Sequence, residues 1–142
     1  MTYVRKRLVF YTSSLVPACL NPDREPAHIF RRTALAHDVF VSSATFDELA
    51  AVLARDKFNA WRPLEYLLIW LRLFRESVIL LEPTTPILAY RDPKDDKFLE
   101  LAGAEHADFL DSSGQHLLEM DPFRGVRILQ LADFEDDIFG SA

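Results

Sequence analysis

The stretch Arg91–Ala102, RDPKDDKFLELA, sets a group of acids against the head of an apolar stripe, and its reading decides how the chain around it is divided. Asp92 before Pro93 predicts an N-cap and a first helical residue, because proline there gives up no N–H that the helix needs and brings a helical φ. Asp95 then becomes the third helical residue. Phe98, Leu99 and Ala102 follow it at i+3, i+4 and i+7 on one face. A carboxylate at the head of an inward stripe has two explanations: it reaches back to the Asp92 N–H as part of a capping box, or it faces a site that uses its charge, such as a metal centre. The stretch alone admits both, and caps are the commoner use.

Short apolar runs stand on either side of this helix. RLVFY (Arg7–Tyr11), DVFV (Asp38–Val41), SVILL (Ser77–Leu81), ADFL (Ala107–Leu110) and VRIL (Val126–Leu129) predict five strands. Helical spacing lies between them. It runs through AHIFRRTALA after Pro26 and through SATFDELAAVLA, where Ser42 and Ser43 are N-cap candidates and Phe46, Leu49, Ala50 and Leu53 form the stripe. LEYLLIWLRLFRES after Pro63, QHLLEM and LADFEDDIF complete the helical set, while the hydroxyls after Tyr11 and the turn Asn21-Pro22-Asp23 predict a loop. The helix after Pro63 is apolar around most of its circumference, so it is either core or a seam with a second copy, with Tyr66, Leu67, Trp70 and Phe74 as interface anchors. Strands alternating with helices predict the α/β class, a mainly parallel sheet covered on both faces. The working edge is then the carboxyl end of the strands, formed by the loops after Tyr11, Val41 and Leu110.

The 142 residues suffice for one domain spanning 1–142. A hydrophobic share of 49% with 27% charged residues is the balance of a folded globular chain, and a formal charge of −6 excludes the usual basic nucleic-acid surface. It does not exclude a nuclease whose acids hold metal ions. A single Cys19 forms no internal disulfide, which fits the reducing cytoplasm. The apolar run near the N-terminus is too short for a secretion signal, and Leu64–Phe74 is too short for a membrane span.

Four scattered glycines build no phosphate loop, and the isolated His28, His37, His106 and His116 give no zinc spacing. Ser112 and Ser113 lie near His116 without a nucleophile elbow. Carboxylates remain: Glu48, Asp92, Asp95, Asp96 and Asp111, at strand ends and helix starts. Hard divalent ions prefer such oxygen ligands, and phosphodiester hydrolysis uses them to activate water and steady the leaving oxygen.

The order of SSATFDELAAVLARDKF, RDPKDDKFLELA, the ADFL turn and FRGVRIL resembles the PIN-domain family, in its VapC-like ribonuclease branch of toxin components from toxin–antitoxin pairs. The resemblance runs from about Arg7 to about Phe134. It implies a three-layer α/β/α sandwich and a ribonuclease dependent on magnesium or manganese, with an antitoxin protein, RNA and a second copy as partners and no membrane. By that resemblance Glu48 holds the place of the family's helical glutamate and Asp95 that of its central aspartate, as catalytic and metal ligands. Tyr11 stands where the aspartate ending the first strand belongs, Gly114 where the acid after the fourth strand belongs, and His116 where a further aspartate is common. Thr12 and Ser13 keep the hydroxyls beside Tyr11, and Asp92, Asp96 and Asp111 are auxiliary candidates. Three functions follow: a degenerate nuclease with weak or no cleavage, a non-catalytic interaction protein, and an active nuclease with rearranged carboxylates.

Overall fold

Strand β1 (Arg7–Phe10) lies at the centre of a five-stranded sheet in the computed structural model, which describes residues 5–86 and 93–133. The strand order is β3 (Ile79–Leu80), β2 (Asp38–Val41), β1, β4 (Phe109–Asp111), β5 (Arg127–Leu129), and every pairing is parallel. Leu8 sits opposite Val39 on one side and Phe109 on the other, and Phe10 opposite Asp111.

Alternation along the strands assigns the two layers. Leu8, Phe10, Val39, Val41 and Phe109 face a core completed by α1 (Thr12–Leu20), α2 (Glu25–Ala36), α3 (Ser43–Leu53) and α5 (Leu64–Ser77). Val9, Phe40, Leu110 and Ile128 face the other way, onto α6 (Asp96–Ala104) and α7 (Gln115–Leu118). The α/β/α sandwich expected from the sequence is therefore the observed fold. A four-residue helix α4 (Asp56–Asn59), not foreseen, links α3 to α5.

Three local readings change. The expected loop after Tyr11 is helix α1, with Pro17 inside it. Proline normally costs a helix interior about 3 kcal/mol, but α1 buries Leu15, Ala18, Cys19 and Leu20 and packs against α2 and α3. Residues 93–95 form a 3-10 turn, so α6 starts at Asp96 and Asp95 becomes its N-cap. Asp92 lies outside the described residues, as does most of the closing LADFEDDIF segment. Finally, α5 buries Leu67, Leu71 and Phe74, whereas Leu64, Leu68, Ile69 and Leu73 are each more than half exposed. The anchors assigned to an interface thus point largely inward: Leu67 and Phe74 are core, and the Tyr66 hydroxyl donates to the Cys19 carbonyl at 2.8 Å.

At the amino end of the sheet, buried His37 uses Nδ1 to accept the Lys6 N–H at 2.9 Å. Arg5 donates to the His37 carbonyl and to Asp38, both at 2.9 Å. The capping signal of α3 holds as read, since Ser42 and Thr45 form a reciprocal capping box. Among the described residues no helix is long and apolar enough to cross a membrane.

Candidate functional site

The chain leaves β1 for β2 and β3 on one side and returns to place β4 on the other, so β1 and β4 flank the point where the winding reverses. The carboxyl ends of such a pair open the crevice in which parallel α/β sheets bind ligands. Tyr11 follows β1 and Asp111 ends β4. Their backbones are tied together, the Tyr11 N–H donating to the Asp111 carbonyl at 3.1 Å.

Thr12, the first residue of α1, is buried and its hydroxyl donates to Oε2 of Glu48 on α3. Oε1 of the same carboxylate receives the Lys97 ammonium at 2.9 Å from the first turn of α6. Each end of the Glu48 carboxylate therefore has its own donor. The Tyr11 hydroxyl donates to Asp95 Oδ1 at 2.7 Å, and its ring lies 4.4 Å from that of Phe98. The Asp95 carboxylate makes no side-chain cap bond to α6 and is used across the crevice by the Tyr11 phenol, while the capping partner expected for it, the Asp92 N–H, lies outside the described residues.

Asp96 is half-buried at the head of α6. Ser13 is exposed, with Oγ 3.5 Å from Ser113 Oγ. Gly114 caps α7 and donates its N–H to buried Ser112 Oγ at 3.0 Å, while His116 is exposed on α7. A groove of about 350 Å³ runs beside these residues, with Thr12, Ser13 and Glu48 on its polar side and Val52 and Phe58 on its apolar side.

Asp111 is fully buried, and neither carboxylate oxygen completes a hydrogen bond. Burial pushes its carboxyl up to about 7; the Ser14 hydroxyl and the Tyr11 N–H pull the other way, but that N–H is spent on the Asp111 backbone carbonyl. Alternation places Asp111 on the same side as Phe109, towards α1, whereas Tyr11 packs on the α6 side. The two neighbours at the strand ends thus serve opposite layers. The sequence pattern did not single out Lys97, and it offered Ser112 only as a nucleophile without an elbow. For Lys97 a signal was present in Asp95-Asp96-Lys97, a cation set directly behind two acids. Among the described residues no group of three or more His, Cys, Asp or Glu side chains is placed to hold a metal ion.

A doubly wound parallel sheet, with Glu48 and Asp95 bonded to the residues that follow β1 and Asp111 buried at the end of β4, defines an α/β domain with its polar residues gathered at the reversal point. Residues 7–112 match the PIN domain family profile. The chain belongs to the PIN-domain family. Its fold is similar to that in the crystal structure of VapBC2 from Rickettsia felis bound to a DNA fragment from their promoter, with a TM-score of 0.58 at 13% identity over 86% of this chain and 96% of that one. The PIN domain of T. brucei RRP44 gives a TM-score of 0.48 at 13% identity, over 94% of this chain and 81% of that one. Comparison with curated protein sequences gives no match.

Proposed function

We propose that this chain is a single-domain cytoplasmic PIN protein of the toxin–antitoxin type whose acidic site supports weak or no RNA hydrolysis. One observation carries the reading: the Tyr11 hydroxyl, in place of a carboxylate, is hydrogen-bonded to Asp95 Oδ1 at 2.7 Å. A magnesium or manganese ion takes about six oxygen ligands and favours carboxylates. In this crevice the two Glu48 oxygens are engaged by Thr12 and Lys97, one Asp95 oxygen is engaged by Tyr11, and Asp111 is sealed from solvent. That donor set does not fit the ion the family uses, and Gly114 supplies no oxygen from a side chain.

The test is RNA cleavage with manganese by the native protein and by a Tyr11→Asp, Gly114→Asp double variant. A side chain has room at position 114, where a Cβ would meet Ser112 Oγ at 3.4 Å. The native protein is expected to cleave little above the protein-free control and the double variant clearly more. Native cleavage abolished by Glu48→Gln or Asp95→Asn overturns the proposal. It would favour the nuclease with rearranged carboxylates, using Asp92, Asp96 or Asp111.

A second reading, as an interaction protein, is favoured by the groove of about 250 Å³ where Ala18 of α1 and Ala27 and Phe30 of α2 meet Trp70, Leu73 and Phe74 of α5. Its apolar lining, with Leu73 of α5 more than half exposed at its rim, suits an amphipathic segment of an antitoxin-like protein or a second copy. The likeness to a VapBC complex supports the antitoxin. Light scattering of the protein alone and with a co-encoded neighbour separates them. A strict monomer unchanged by the neighbour removes both.

A further inference from the structure

We infer that Lys97 is a built-in counter-ion of the crevice, holding the Glu48 carboxylate in competition with any divalent cation. The inference rests on the reading of Glu48 as the family's helical acid, and it is independent of how much RNA the native protein cleaves.

Lys97 is the second residue of α6, and a cation there stands at the end of the helix whose dipole repels it. The helix is therefore not what rewards its position. Its Nζ lies 2.9 Å from Glu48 Oε1 and 3.1 Å from the Lys94 carbonyl, so two of its three donors are placed. Both side chains of the pair are 26% exposed. Partial burial strengthens their attraction over that of a solvent-washed pair, yet leaves an opening through which an ion could enter. Thr12 fixes the other Glu48 oxygen, so the carboxylate is oriented with its Oε1 towards the ammonium. A divalent cation drawn to Glu48 meets a positive charge already on the lone pairs it needs. The chain thus carries its own cation where its family recruits one. Lys97 acts through Glu48 and is a positioning residue.

The experiment is calorimetric titration of manganese chloride into the native protein and into Lys97→Met, Lys97→Arg and Lys97→Met/Glu48→Gln, each checked for folding by circular dichroism. Lys97→Met is expected to bind manganese at least tenfold more tightly than the native protein, Lys97→Arg to stay near native, and the double variant to lose the gain. Equal affinity in native protein and Lys97→Met overturns the inference, as does a gain that survives Glu48→Gln. Should Lys97→Met not fold, the Lys97 side-chain 15Nζ resonance decides the matter. It is expected to move in Glu48→Gln, and a resonance unchanged by that substitution overturns the pairing. RNA cleavage by the native protein would remove the proposed loss of activity and leave this affinity ratio standing, so the two readings fail separately.

Discussion

Burial of Asp111 at the end of β4 and of His37 just before β2 sets two titrations against each other. The Asp111 carboxyl is pushed from 3.8 to about 7, so between those values the folded state keeps a proton that the unfolded chain has released. Stability then falls as pH rises through that window, by at most about 1.4 kcal/mol per pH unit for one proton, and is level above it. His37 works in the opposite direction: burial first, then Arg5 and Lys6, hold it below 6.5, and protonation removes the acceptor of the Lys6 N–H. Its contribution is present above pH 6.5 and lost on acidification. In thermal unfolding between pH 4 and pH 8, Asp111→Asn should abolish the fall in stability as pH rises from about 4 to about 7 and leave the acid loss due to His37 exposed. Parallel profiles for the native protein and the variant would show that Asp111 carries no such penalty.

Helix α5 separates residues that hold the fold from residues that only cover it. Leu67 is 1% exposed within the main core, so Leu67→Ala should cost about 2–5 kcal/mol in denaturant unfolding. Leu68 and Ile69, next along the chain, are 56% and 60% exposed, and substitution by Ser should shift stability by no more than about 0.5 kcal/mol. A loss of several kcal/mol at either would mean that the ridge is covered in solution. For α3, Ser42→Ala removes the cap and should cost about 1 kcal/mol. The same contrast explains what the sequence disclosed. The α3 cap and the stripes of α3 and α6 are written locally in residue spacing. Helix α1 is not, because Pro17 and the Thr12-Ser13-Ser14 start argue against a helix, and only packing against α2 and α3 overrides them. The Asp95 bond to Tyr11 and the Glu48 pair with Lys97 join distant parts of the chain, so spacing could set these acids on their helices without showing what holds them.

The whole molecule is a sheet whose middle is closed and whose edge on the β3 side is brief. β1 is flanked by β2 and β4 and its Leu8, Val9 and Phe10 are buried, so their amides should exchange hydrogen only through global opening. Ile79 and Leu80 on β3 are 43% and 41% exposed and should exchange faster. Protection of β3 equal to that of β1 in hydrogen-exchange mass spectrometry would contradict this ordering. The alternation of strands and helices made the layers legible from sequence, while the strand order, and with it the pairing of Tyr11 with the end of β4, depended on where the return crossover lands. β3 has a further consequence, for self-assembly through backbone pairing. It has two residues, and the chain beyond it passes through Glu82, bonded back to the Ser43 N–H at 2.6 Å, and then Pro83. A visiting strand would find a template too short to register on and a proline that donates nothing, so this edge of the sheet is closed to fibril growth by its own brevity.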